Sequence, residues 1–252
     1  MRTIRMEDMN WPDIRRAVDD GFTTVVVGIG STEQHGPHLP TSTDTLIGEA
    51  LAYRVASRLG DALQARTIAL GCSDHHLAFP GTISLRAETL GMIIEDYARS
   101  LSKHGFKRVV LLPSHGGNFF TVKKTIERLR PMFPHLHITG CTDLMAVFGV
   151  LARASGEFGI SAEDSGAHAG ESETSILLAL AEDLVAQDRL AAGYVGPLGP
   201  EQVDLLMQKG MTSLTENGVL GDPAKASADK GLAYLDRLVD YLLEEIRQAP
   251  SE

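Results

Sequence analysis

TTVVVGIGSTEQHGPHLPTSTDTLIGEALAYRVASRL, residues 23–59, runs from a strand pattern through a polar loop into a helix pattern. TTVVVGIG (23–30) is an unbroken β-branched run closed by glycine, without the alternation of a half-exposed strand. A strand of this kind is expected to be buried on both faces, as in a parallel sheet. Leu46, Ile47, Leu51, Val55 and Leu59 then recur at helical spacing over 43–59. The loop between them, GSTEQHGPHLPTSTDT (30–45), carries Glu33, His35, His38 and Asp44, punctuated by Gly and Pro. By residue type these four could form a metal site, an acid/base pair or a polar turn, and Asp44 could equally cap the helix that follows.

The same unit recurs along the chain. A helix is expected over Trp11 to Asp20, a strand at ARTIAL (65–70), a helix from Ala87 to His104 and a strand at RVVLLP (108–113). A helix from Phe119 to Leu129 and a strand at HLHITG (135–140) follow. Alternating strands and helices predict an α/β fold: one domain over residues 1–252, with a mostly parallel central β-sheet flanked by helices on both faces. Ligands in such sheets gather beyond the carboxyl ends of the strands. Residues 152–170 read as a loop crossing that end, 172–185 as a helix with Ser172 near its N-cap, and 192–222 as a loop-rich excursion. The last helix is expected from Ala224 to Gln248, with Leu232, Leu235, Val239, Leu242 and Ile246 on its buried face. Residues 145–165 and 192–222 are expected to shape the pocket.

Composition excludes several function classes. A net charge of −10 argues against a nucleic-acid partner, which calls for a basic stripe. Cys72 and Cys141 stand apart with no CxxC spacing, so neither a disulfide framework nor a thiolate zinc knuckle is signalled. The first residues lack an apolar leader pattern and the apolar runs are too short to span a bilayer, so a cytoplasmic protein with no membrane partner is expected.

Three polar clusters fall after predicted strands or just before a helix: the Glu33 to Asp44 loop, SHGGN (114–118) and AHAGESETS (167–175). Each alone reads as a polar loop or, for Glu173, as a carboxylate in a first helical turn. Together, on one end of a parallel sheet, His35, His115, Glu33, Asp44 and Glu173 supply the mixed imidazole and carboxylate donors that Zn²⁺, Mn²⁺ and Fe²⁺ favour. One Asp can bridge two cations, and bound metal makes hydroxide available near neutral pH. SDHHLAFPGTISL (73–85) adds His75 and His76, one of which could line the pocket. Gly116 and Gly117 would let backbone approach a ligand closely, and no nucleotide-phosphate fingerprint is present. A Ser/His/Asp triad has no GxSxG elbow here to support it.

GSTEQHGPHLPTSTDT, the SxxHxxFPGT segment, SHGGN and HAGESETS, in that order, resemble the creatininase family of metal-dependent amidohydrolases over about residues 24–240. GDPAKASADKG (221–231) adds to the likeness. The resemblance implies an α/β fold with a parallel sheet, two divalent ions per chain (Zn, Mn or Fe) and cleavage of a C–N amide bond through a metal-bound hydroxide. It also implies a homo-oligomer, hexamers being among the family's assemblies. By motif, Glu33, His35, Asp44 and His115 would be metal ligands, with Asp44 bridging, and His168 would transfer the proton. Ser73, His76, Gly116 and Gly117 would face the substrate.

Two departures from the creatinine-hydrolysing members stand out. Those members carry a glutamate two places after the histidine of the second motif, where this chain has Gly117. Glu173 is the expected replacement ligand, with Glu171 in reserve or acting in catalysis. Those members also close tryptophans over the substrate ring, whereas the only tryptophan here is Trp11. The expected substrate is a small amide, cyclic or formyl. A peptide trimmed during cofactor maturation is the alternative, and a non-catalytic metal-binding protein is a rival of another class.

Overall fold

The computed structural model describes residues 2–248. Strand β1 (Thr24–Ile29) is buried along its whole length, which explains why its sequence does not alternate. It pairs in parallel with β2 (Ala62–Gln64), Val25 opposite Leu63, and with β3 (Arg108–Pro113), Val26 opposite Val110. β3 in turn pairs in parallel with β4 (His137–Gly140), giving the order β2-β1-β3-β4. The sheet is therefore parallel throughout, as its apolar strands required.

Helices cover both faces. α1 (Trp11–Asp19), α3 (Ala87–Lys103) and α4 (Phe119–Leu129) pack with Val25, Val27, Ile29, Val109 and Leu111 on one side. α2 (Thr43–Leu59), α5 (Leu144–Gly156), α7 (Glu171–Ala181) and α9 (Ala228–Gln248) pack with Val26, Val110 and Leu112 on the other. Among the described residues no helix is long and apolar enough to cross a membrane.

Several expectations are corrected. The strand expected at 65–70 ends at Gln64. Ala65 and Ile68 donate to the Val26 and Gly28 carbonyls, so three steps along this segment match two along β1 and the excess residue breaks the ladder. The loop expected over 152–170 is partly helical: α5 continues to Gly156 and the short α6 spans Ala162–Ser165. α5 starts where Asp143 accepts the Ala146 N–H at 3.0 Å, a cap hidden ahead of an almost wholly apolar stretch. α7 begins one residue before Ser172, which lies inside it and donates to the Ser165 carbonyl. The 192–222 excursion holds α8 (Pro200–Lys209), opened by a proline at its first turn. In α9, Leu232 is 44% exposed, and the buried face is Tyr234, Leu235, Leu238, Val239, Leu242, Leu243 and Ile246.

Candidate metal centre

The loop after β1 turns sharply because Gly30 lies against α2: a β-carbon there would come within 2.6 Å of the Thr45 backbone. This contact brings the first turn of α2 beneath the end of the sheet. Asp44 does not cap that helix; its side chain is buried and faces inward. Ser114, just past β3, donates to the Asp44 carbonyl at 2.7 Å and ties the second motif to the first.

Around Asp44 the expected residues converge. Its Oδ1 is 3.3 Å from His35 Nε2 and its Oδ2 is 3.3 Å from His115 Nδ1. Glu33 Oε1 lies 3.2 Å from His115 Nδ1, 3.3 Å from His76 Nε2 and 3.7 Å from His168 Nδ1. Glu173 Oε2 is 3.8 Å from His35 Nε2 and accepts the Ala169 N–H at 2.6 Å. Three overlapping groups, Glu33/His35/Asp44, Glu33/His76/His168 and His35/His168/Glu173, each bring their donor atoms within 4.8 Å of one another. Both Glu33 oxygens, Asp44 Oδ2 and His35 Nε2 are buried without a hydrogen-bond partner. Orphaned acceptors of this kind are costly unless a cation completes them, and the donor set suits a borderline divalent metal.

The ring orientations fit that role. His35 Nδ1 donates to the Glu33 carbonyl at 3.1 Å, and His115 Nε2 donates to the Cys72 carbonyl at 3.0 Å. Each N–H lies behind the ring, so the nitrogen facing Asp44 is the one able to ligate. Charges in the cluster act strongly on one another. Burial alone would lower His35, but Asp44, Glu173 and Glu33 outweigh it and raise the imidazole to about 9. His115 is likewise raised, by Glu33 and Asp44 against burial. Asp44 is held below the carboxylate range because His35 and His115 overcome the opposing effect of burial. Burial, together with the Asp44 and Glu33 charges, raises Glu173 to about 7. His168 is pushed well below its ordinary value by burial and by His35.

Other expected residues are placed differently. Glu171 is fully buried, but its carboxylate accepts from Tyr234 Oη at 2.9 Å and Ser175 Oγ at 2.8 Å and faces α9, outside the three donor groups. Neither reserve ligand nor catalytic group fits that position. Ser73 lies behind His115, 3.3 Å from its Nε2, and does not front the centre. Gly117 has no room for a ligand, since a β-carbon there would meet the Cys72 carbonyl and lie 2.6 Å from His115 Nε2. Gly116 does border open space: with Glu173, Ala167, Leu144 and Phe148 it lines a cavity of about 80 Å³. Phe148 and Ala167 also border a second cavity of about 190 Å³, with Met145, Tyr194 and Leu198. The 145–165 and 192–222 segments thus both contribute walls beside the centre. His38 stands back from the cluster, bonded to Thr174 Oγ1 at 2.9 Å.

Gln34 was not anticipated. It is buried between His76 and His168, and a lone glutamine between two ligand positions carries no signal of its own.

The family model for creatininase, described as creatinine amidohydrolase, matches residues 7–246. The mycofactocin precursor peptide peptidase of Mycolicibacterium smegmatis is 36% identical over 229 residues, covering 89% of this chain and 84% of that protein. A crystal structure of creatinine amidohydrolase superposes with a TM-score of 0.82 at 25% identity, covering 100% of both chains. A mutant creatininase of Zn-Zn type gives 0.79 at 26% identity over 99% of this chain and 100% of that one. The match along nearly the whole chain, on top of a centre assembled from the same ordered motifs, makes this protein a member of the creatininase family of hydrolases.

Proposed function

We propose that the chain is a metal-dependent amidohydrolase that cleaves an amide bond of a peptide. The observation that carries the hydrolytic reading is the set of buried, unpartnered Glu33, Asp44 and His35 atoms facing one another at the end of the sheet. Glu33, Asp44, His35, His115 and Glu173 would hold two divalent cations, Asp44 with one oxygen toward each imidazole. When bound, the metals would supply Lewis-acid polarisation of the amide carbonyl and a water of lowered pKa.

His168 is the proton carrier in this reading. Its Nε2–H donates to the Gln34 carbonyl at 2.8 Å, which leaves the Nδ1 lone pair toward Glu33. Burial keeps the ring neutral, so Nδ1 can take the proton from the attacking water and deliver it to the leaving nitrogen. Phe148, Leu144 and Tyr194 give the adjoining cavities apolar walls on that side.

The peptide reading is supported by 36% identity to the mycofactocin precursor peptide peptidase against 27% to the creatinine amidohydrolase of Pseudomonas putida. Gly117 and the lack of pocket tryptophans point away from creatinine. Two cavities that share Phe148 and Ala167 as walls, one of them also lined by Glu173, offer more room than a formyl group needs. A homo-oligomer belongs to the same reading, since Trp11 and Phe120 leave 79% and 72% of their surface exposed on one chain; sedimentation analysis tests it.

Zinc- and manganese-loaded protein should be incubated separately with the mycofactocin precursor peptide, creatinine and an N-formyl amide. Cleavage of the peptide with creatinine untouched is expected. Turnover of creatinine or the formyl amide alone would reject the peptide assignment, and equal turnover after chelation would reject the metal.

A further inference from the structure

Of the four imidazoles facing the Glu33 and Asp44 carboxylates, three stand with a carbonyl oxygen at their back. His35 has the Glu33 carbonyl, His115 that of Cys72 and His168 that of Gln34, at 3.1, 3.0 and 2.8 Å. A carbonyl only accepts, so these rings carry their N–H behind and their lone pair in front. His76 has a different partner: its Nδ1 lies 2.9 Å from the side-chain nitrogen of Gln34, while its Nε2 faces Glu33 Oε1 at 3.3 Å.

Two further contacts orient the Gln34 amide. Gly36 N–H donates to its Oε1 at 2.8 Å, and its Nε2 donates to the Gly218 carbonyl at 3.1 Å. Turning the amide over would set N–H against N–H and oxygen against oxygen. One amide proton is then left for His76 Nδ1 or for His168 Nε2, the latter 3.0 Å away. His168 Nε2 already carries a proton directed at the Gln34 carbonyl, so the amide proton goes to His76. The clamp also explains two glycines: Gly36 and Gly218 have φ of 64° and 82°, and a β-carbon at Gly218 would collide with the Gln34 amide.

We infer that Gln34 is a positioning residue that holds His76 as the Nε2–H tautomer, so that His76 turns an N–H, and not a metal-ligating nitrogen, toward Glu33. His76 therefore does not replace the carboxylate missing at Gly117, although it lies within one of the three donor groups. Its Nε2 lies 3.3 Å from Glu33 Oε1, and an N–H there favours the ionised carboxylate from outside the ligand set. This inference rests on the metal reading above, and its test involves no turnover.

The test uses zinc-loaded protein labelled with ¹⁵N-histidine, with ring-nitrogen protonation read from long-range ¹H–¹⁵N correlations and the His76 signals assigned by their loss in His76→Gln. In the wild type, His76 is expected to show a protonated Nε2 and a bare Nδ1. In Gln34→Glu, where a carboxylate can only accept, the two resonances are expected to exchange character. Zinc per chain in His76→Gln is expected to equal that of the wild type. A wild-type His76 protonated at Nδ1, or loss of one zinc per chain in His76→Gln, would overturn the inference. Should His76→Gln not fold, His76→Asn supplies the assignment, and an unchanged tautomer in Gln34→Glu would overturn the inference by itself. Absence of peptide cleavage would count against the proposed function alone, and a chain that takes up no zinc would count against the metal reading, while the same spectrum still decides the tautomer.

Discussion

Gly117 and the Cys72 carbonyl are in such close contact that no side chain fits between them, and a β-carbon at 117 would also lie 2.6 Å from His115 Nε2. Glycine here protects the bond from His115 to the Cys72 carbonyl, which keeps the other imidazole nitrogen facing Glu33 and Asp44. Restoring the glutamate that the creatinine-hydrolysing relatives carry should therefore fail. Gly117→Glu is expected to destabilise the protein by about 1–3 kcal/mol through overpacking and to lower zinc uptake. Gly117→Ala should reproduce most of the loss, which separates collision from charge. Thermal melting and metal analysis check both; a Gly117→Glu protein with normal melting and full zinc would contradict the argument.

The unpartnered polar atoms at Glu33, Asp44 and His35 predict that metal stabilises the fold. A ligand at about 100 times its Kd contributes about 2.7 kcal/mol. At roughly 2–4 °C per kcal/mol for a chain of this size, zinc should raise Tm by about 5–10 °C over the chelated protein. The apo protein should stay folded, because the apolar clusters on the two faces of the sheet are built without the site. Asp44→Asn should abolish most of the increase. Saturating zinc that leaves Tm unmoved would exclude a metal centre here.

Much of this centre was legible in the sequence because each motif follows a strand or opens a helix, and parallel strands bring their carboxyl ends together. Glu33, His35, Asp44, His115 and Glu173 come together at that end of the sheet, and His168, which only the family resemblance singled out, lies beside them. Side-chain direction was less accessible. Glu171 and Glu173 are two positions apart on one helix, so they face different sides, and only the packing of Tyr234 shows which side faces the metals. Gln34 depends on contacts with Gly218, far along the chain, that no local pattern announces. α5 was missed because LMAVFGVLARASG lacks a polar face until its end, so helical periodicity had little contrast to reveal.

Metal binding should release protons. In the metal-free chain His35 is raised to about 9 and is a cation at neutral pH, yet ligation requires a bare Nε2. Calorimetric titration with zinc in buffers of different ionisation heat should show release of at least one proton per chain, with affinity falling as pH drops below about 9. Stability of the stripped protein should follow the opposite course. His35 has a folded pKa above its ordinary 6.5, so its contribution is complete below that value and is lost as pH rises through about 9. Glu173, raised from 4.5 to about 7, acts in the same direction, because the folded state then binds the extra proton between those values. Chelated protein should therefore melt higher at pH 6 than at pH 9.5. A flat profile together with proton-neutral zinc binding would refute the charge state assigned to the chelated centre.

Glu171 holds α7 to α9. Its carboxylate accepts from Tyr234 Oη and Ser175 Oγ and lies 3.5 Å from Lys230 Nζ, all without solvent contact at the carboxylate. Removing the phenol leaves a buried carboxylate short of a donor, so Tyr234→Phe should cost about 1–3 kcal/mol. Glu171→Gln should lower Tm in the same range while keeping the wild-type zinc content. Glu173→Gln, two positions along the same helix, should lose metal, because its carboxylate points at His35. Zinc per chain measured beside Tm separates the two glutamates: a Glu171→Gln protein that melts normally but binds less zinc would return Glu171 to the site.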